Sequence, residues 1–334
     1  MTKLAFCMAG ALVALTGCAM GGAVERQGTH DGTEADSAPL PEDRCSDAPA
    51  ANPNGSFRHW KSSVIADLGA PRHRGLDLVA TSDDAVQRVE GQASYGVEDK
   101  ALEDEWVHLY ACASGAWSYL GDALTDDEGH FALDLSDGGL LPVGVRDLYM
   151  SVDGDGSGAP FVAIVAPSST EVAVSDIDGT LTSSENAFPE SLVTGATVAP
   201  NHDAAEALTE LQSRGYAIVY VSTRSAYFTG DTRAWLEANG FPLGALRLPG
   251  PIATLPGQAS TDAKVELMSA LPLTVAIGVG NRSSDAAAYD QVGVASDHTF
   301  LKTTEFSSEL GPWIDGGDVG FDDYAALLDV LDTL

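Results

Sequence analysis

The stretch Val172-Ala173-Val174-Ser175-Asp176-Ile177-Asp178-Gly179-Thr180-Leu181-Thr182 decides how the rest of the chain is read. Val172, Ala173 and Val174 form a short apolar run of the kind that makes a strand buried in a parallel sheet. The run ends in two aspartates two residues apart, followed by a glycine. In open α/β sheets the carboxyl ends of the strands are where ligands bind. In extended backbone, residues at i and i+2 point to one side, so Asp176 and Asp178 can face one pocket while Gly179 turns the chain away. Two carboxylates aimed at one point repel unless a cation or proton lies between them. That suits Mg²⁺, which takes one or two carboxylates and fills its shell with substrate phosphate oxygens. The competing reading is a β-turn with solvated acids.

From this stretch to the C-terminus the pattern alternates strand and helix. Asp203–Arg214 carries Ala204, Ala207, Leu208 and Leu211 at helical spacing, and Gly215 closes it. Ala217–Val221 reads as a buried strand, Asp231–Asn239 as a helix and Ala245–Leu248 as a short strand. Asp262–Leu271 follows as a helix, Leu273–Ile277 as a strand and Ser284–Gln291 as a helix. Val292–Val294 and Thr299–Leu301 read as short strands, and Phe321–Leu334 as a closing amphipathic helix. Such alternation predicts a doubly wound parallel sheet over 170–334.

Ahead of it, residues 57–169 show short runs of strand character: Leu76–Ala80, Val86–Tyr95, Trp106–Cys112, Trp117–Leu120, His130–Leu135, Leu148–Val152 and Phe161–Val165. Turn signals such as Asp127-Glu128-Gly129 and Asp153-Gly154-Asp155-Gly156 separate them, which predicts a small all-β sandwich. The run Leu124–Phe131 resembles the turn and strand of transthyretin-like modules. Asp153, Asp155 and Ser157 mimic the start of a calcium loop, but position twelve is Ile164 rather than Glu, so a hairpin turn is the expectation.

The 334 residues carry a formal charge of −32, with 17 Lys and Arg against 49 Asp and Glu. That balance excludes nucleic acid as a partner and a polybasic membrane face, since both need clustered cations. At the N-terminus Lys3 precedes an apolar run from Leu4 to Leu15, too short to span a bilayer, which ends Leu15-Thr16-Gly17-Cys18. This resembles a bacterial lipobox. It implies a signal peptide over 1–17, lipidation of Cys18, a membrane anchor and, from Ala19, the outer membrane of a cell envelope. Residues 18–56 are poor in large apolar side chains and read as a disordered tether. Cys45 and Cys112 remain, either as a disulfide or as two buried thiols.

Further polar residues recur where strands end. Ser222-Thr223-Arg224 follows the strand Ala217–Val221 and offers hydroxyls, backbone N–H groups and a guanidinium to a phosphoryl group. Lys264, near the start of its helix, can offset nucleophile and phosphate charge. Asn281 and Asp285, one helical turn apart after Gly278-Val279-Gly280, can face one metal ion.

The order Asp-x-Asp, Ser, Lys, Asn-x-x-x-Asp resembles the haloacid dehalogenase (HAD) superfamily of phosphotransferases. Finer runs narrow the resemblance: Asp176–Thr182, Tyr220–Ser225, Thr232–Leu236, Leu248-Pro-Gly-Pro-Ile252 and Gly280–Val294 look like the catalytic domain of lipins, Mg²⁺-dependent phosphatidate phosphatases. A related domain occurs in membrane-associated phosphatidylinositol transfer proteins, many of which lack the first aspartate that this chain keeps. The resemblance covers roughly Val172 to Leu301. It implies Asp176 as nucleophile and Asp178 as acid/base, with Asp176, the Asp178 carbonyl and Asn281 or Asp285 as metal ligands. Gly179, Thr180, Thr223 and Arg224 complete the substrate pocket. An immunoglobulin-like sandwich accompanies this domain in lipins. The intervals from Asp178 to Ser222 and from Ser222 to Lys264 leave little room for a cap domain, so an uncapped pocket open to a large lipid phosphate is expected. Two other readings stand beside it: a phosphatase for a soluble metabolite or nucleotide, and a non-enzymatic phospholipid-binding lipoprotein.

Overall fold

In the computed structural model the described residues are 38–250, 254 and 256–333. The expected signal peptide over 1–17, Cys18, the first part of the tether and part of the Leu248–Ile252 run lie outside them. The described residues fall in one compact unit.

The β half has strands β1 (Glu42–Asp43), β2 (Arg74–Leu76), β3 (Leu78–Thr81), β4 (Val86–Gln92), β5 (Ser94–Tyr95) and β6 (Lys100–Ala101). They are followed by β7 (Trp106–Ala113), β8 (Ala116–Leu124), β9 (His130–Ser136), β10 (Gly144–Val152) and β11 (Gly158–Ala166), with one helix, α1 (Trp60–Ala66), before β2. One sheet runs β3-β11-β10-β7-β8, with β1 against β10; a second runs β2-β4-β9. Alternation sets the faces. In β7, Val107, Leu109 and Ala111 point inward, where they meet Leu148, Met150, Phe161, Val89 and Phe131, while Trp106, His108 and Tyr110 point away.

The expected single run Leu76–Ala80 is broken at Asp77. The fully buried Asp77 carboxylate accepts the Val162 N–H at 2.7 Å, so the chain leaves one sheet there and enters the other. Residues 38–56, which composition places in the tether, do not hang free. Glu42 and Asp43 pair in parallel with Val145 and Arg146, and Cys45 is disulfide-bonded to Cys112 on β7.

The second half comprises β12 (Glu171–Ser175), α2 (Ala187–Thr194), α3 (Ala204–Ser213), β13 (Ala217–Val221), α4 (Thr229–Ala238) and β14 (Ala245–Arg247). It continues with α5 (Gln258–Ser269), β15 (Thr274–Gly280), α6 (Ser283–Val292), β16 (Thr299–Lys302), α7 (Ser307–Asp315), β17 (Val319–Phe321) and α8 (Tyr324–Leu331). Every pairing in its sheet is parallel, in the order β14-β13-β12-β15-β16-β17. Counted from β12, that order is 3-2-1-4-5-6, and the winding reverses between β12 and β15. The reversal opens a crevice beyond the carboxyl ends of these two strands.

The central strands are apolar on both faces because both are covered. Ile218 and Tyr220 meet α3 and α8, whereas Val219 and Val221 join Met268 of α5 and Ala288 of α6. That second cluster also takes in Val145, Val162, Ile164 and Ala166 from the sandwich, so the two halves share a core. Residues 292–294 turn out to be a helix end and loop, not a strand: Gly293 adopts φ +90° and caps α6. Between Asp178 and Ser222 the described chain holds only α2, α3 and the core strand β13, with no separate cap domain.

Candidate active site

Asp176 is the first residue after β12, and its N–H donates to the Val279 carbonyl of β15 at 2.9 Å. It therefore sits at the point of reversal and is 4% exposed. Lys264 Nζ donates to Asp176 Oδ1 at 2.5 Å and, equally close, to Asp285 Oδ1. The helix that carries Lys264 begins at Gln258, a turn earlier than expected, which places the lysine at mid-helix, buried against the sheet edge. Asp285 is fully buried at the start of α6. Its Oδ2 accepts the N–H groups of Asn281 and Arg282, each at 3.0 Å, satisfying donors that the helix leaves free. Both Asp285 oxygens are thus engaged. The carboxylate anchors Lys264 and the helix start, and the side chain left to face a cation is Asn281.

Thr180 Oγ lies 3.0 Å from Asp176 Oδ2 and 3.1 Å from Asn281 Oδ1. A hydroxyl has one proton to give, so one of these two acceptors is left without a donor. Asn281 Nδ2 is turned the other way and donates to Glu185 Oε2 at 3.1 Å. Gly179 closes the ring at φ +73°, and a Cβ there would lie 2.1 Å from Asn281 Nδ2. No side chain other than hydrogen is tolerated at this turn.

Burial pushes the Asp176 carboxyl well above the usual carboxylate range; Lys264 opposes the shift, and Asp285, Glu185 and Asp178 add to it. Burial alone would lower Lys264, but the two carboxylates it touches outweigh that and hold it protonated. One ammonium shared by two buried carboxylates leaves a net negative pocket. Together with the acceptor that Thr180 leaves without a donor, Asp176 Oδ2 or Asn281 Oδ1, this set of oxygens fits a small hard cation. Among the described residues no three His, Cys, Asp or Glu side chains converge as a metal cage. Mg²⁺ needs only one or two carboxylates, the balance coming from neutral oxygens, water and substrate.

The second aspartate is held differently. Arg224 grips Asp178 with two parallel bonds, Nη2 to Oδ1 at 2.7 Å and Nε to Oδ2 at 2.9 Å. Ser222 Oγ adds a bond to Asp178 Oδ2 at 3.1 Å and accepts the Arg224 N–H. The guanidinium is fixed in turn by Thr232 Oγ at 3.0 Å and by the Phe188 ring, 3.8 Å away. Ser222 and Arg224, expected at the phosphoryl group, are both bonded to Asp178 in this structure and orient it. Thr223 is partly exposed beside them, its carbonyl accepting the Thr254 N–H.

One residue passed over in the sequence belongs to the site. Glu185 holds Asn281, as above. Arg247, the last residue of β14, lies in the row after Tyr220–Leu246, opposite Val221, and its carbonyl accepts the Ser222 N–H. Every other described arginine sits in an ion pair; Arg247 has none among the described residues and donates only to its neighbour's carbonyl.

Residues 173–302 match the family model described as the LNS2 domain of PITM 1-3, and residues 71–165 match the beta-sandwich domain of the same proteins. LNS2 domains are related to HAD-type phosphatases. The chain is 26% identical over 245 residues to protein retinal degeneration B of Drosophila melanogaster, covering 72% of this chain and 19% of that protein. It is 28% identical over 255 residues to membrane-associated phosphatidylinositol transfer protein 2 of Mus musculus, 75% of this chain and 18% of that one. Against transfer protein 1 of Homo sapiens it is 27% identical, covering 75% and 20%. The chain thus spans about a fifth of the length of these relatives. A likeness to MtrC of Shewanella baltica OS185, with TM-score 0.20 and 14% identity over 31% of this chain and 24% of that one, is too slight to use.

Proposed function

We propose that this chain is a Mg²⁺-dependent phosphatase for a lipid phosphomonoester such as phosphatidate, tethered to a bacterial envelope through lipidated Cys18. The observation that carries the reading is the meeting of Asp176, Lys264, Thr180 and Asn281 at the reversal of the sheet. These residues come from three separate segments, the loop after β12, α5 and the turn after β15, and the charge and acceptor count of their pocket call for a cation.

Asp176 attacks phosphorus, the bond to the leaving alkoxide breaks, and an aspartyl-phosphate forms. Asp178, aimed by Arg224 and Ser222, gives the leaving oxygen its proton and then takes one from the water that hydrolyses the aspartyl-phosphate. Lys264 opposes the rise that burial imposes on the Asp176 carboxyl and offsets charge on the phosphoryl oxygens. Asp176, Asn281 Oδ1 and the Asp178 carbonyl would hold Mg²⁺, which supplies further neutralisation of the phosphoryl charge. The test is Mg²⁺-dependent phosphate release from phosphatidate in mixed micelles, beside a panel of soluble phosphomonoesters. Asp176→Asn is expected to lose at least a thousandfold in kcat, on the order of 4 kcal/mol. Wild-type turnover by that variant sinks the reading.

A second reading is favoured by two observations. The relatives are named transfer proteins, and the Asp178 carboxylate is tied to Arg224. In that reading the pocket holds a lipid phosphate without cleaving it. Saturable binding of phosphatidate vesicles with no phosphate release over hours selects it.

A further inference from the structure

We propose that Glu185 is a positioning residue that locks the side-chain amide of Asn281 with its oxygen toward Asp176; this rests on the reading of the pocket as a Mg²⁺ site. Glu185 lies in the turn just after Thr182, outside every motif of the sequence. Its Oε2 accepts Asn281 Nδ2 at 3.1 Å, its Oε1 lies 3.6 Å from Arg282 Nη1, and its own N–H donates to Glu305 Oε2 at 3.1 Å. Both the backbone and the head of Glu185 are therefore pinned.

A primary amide has a donor end and an acceptor end of nearly the same shape. A carboxylate only accepts, so Glu185 dictates that Nδ2 faces it and Oδ1 faces Thr180 and Asp176. Were the amide reversed, its NH₂ would sit against the Asp176 side of the pocket. There it would offer a donor in place of the Oδ1 acceptor and occupy the place of a cation. Gly179 leaves no slack, because even a methyl group at that turn would collide with both Asn281 Nδ2 and Glu185 Oε2, at 2.1 and 2.9 Å. Glu185 thus keeps Asn281 a ligand and stops it from becoming a built-in substitute for the metal.

The test is calorimetric titration of the full chain with Mg²⁺ in the absence of substrate. Glu185→Ala and Asn281→Ala are each expected to weaken Mg²⁺ by about 10- to 100-fold, the range typical of groups that orient a ligand. The double variant should lose no more than Asn281→Ala alone, since Glu185 acts only through Asn281. Should the alanine variant not fold, Glu185→Gln, which no longer enforces one amide orientation, is expected to show a smaller loss that again vanishes in the Asn281→Ala background. Additive losses, or a Glu185→Gln protein with unchanged affinity, overturn the positioning role while leaving the metal reading intact. If the wild-type chain takes up no Mg²⁺, the metal reading fails and this proposal fails with it.

Discussion

Arg224 separates two accounts of one side chain at the residue scale. If it bound the phosphoryl group, its loss would mainly raise KM. In this structure it grips Asp178 through two bonds and carries the Phe188 ring on its face. Arg224→Gln is therefore expected to lower kcat by about 10- to 100-fold, as for an acid/base held out of position, with little change in KM. Steady-state kinetics on any turned-over phosphoester decides it, and a large KM effect at constant kcat restores the direct contact. Asp285 has another role. With one oxygen on Lys264 and the other on two helix N–H groups, Asp285→Ala leaves a buried ammonium with one partner. A loss of about 3–5 kcal/mol in chemical denaturation is expected.

At the scale of elements, two sandwich histidines respond to pH with opposite sign. His73, before β2, is buried, which lowers it to about 4 against opposition from Asp155 and with help from Arg74. Its Nδ1 accepts the Ser94 N–H, and its Nε2 meets Ser157 Oγ at 2.8 Å, an arrangement that suits the neutral ring. The unfolded chain binds a proton at His73 from about pH 6.5 downward, before the folded chain does. Stability is therefore lost as pH falls toward 4, by up to about 3 kcal/mol. His108, on β7, bridges Asp122 and Asp153; burial would lower it, but the two carboxylates outweigh that and raise it. Its contribution is complete below about pH 6.5 and fades as pH rises through the elevated value. Melting temperatures across about pH 4 to 9 should show the acid limb flattened in His73→Gln and the alkaline limb flattened in His108→Gln.

For the whole molecule, the joint between the halves is Asp77 and the N-terminal segment. Asp77 accepts Val162 of the sandwich, Leu246 of β14 and Arg233 of α4, and is shut off from water. The N-terminal segment crosses the same boundary: Gln212 donates to Glu42, Arg44 to Glu237, and the Cys45–Cys112 bond fixes its end. Asp77→Ala is expected to cost about 3–5 kcal/mol, because it strands Arg233 and two backbone donors, and to lower both halves in one transition. The disulfide closes a separation of 67 residues, for which loop entropy gives about 4 kcal/mol. Melting with and without a reductant, beside the double Cys→Ser chain, measures it. No helix among the described residues is long and apolar enough to cross a membrane.

The sequence by itself determined the alternation of strands and helices, the turn at Gly179 and the residues that gather at the reversal point. Those are local properties: apolar period, turn chemistry and position relative to a strand end follow from neighbours along the chain. It also placed the sandwich before the doubly wound half. What it did not determine was how charges pair. Ser222 and Arg224 read as phosphate donors because each is a donor at a strand end, yet Asp178, more than forty residues earlier, claims both. Asp285 read as a ligand by helical spacing, yet Lys264 and two N–H groups fill it. Glu185 matters only through a partner, Asn281, that the fold brings close. Hydrogen bonds and ion pairs are decided by distances between remote segments, and only the tertiary structure sets those distances.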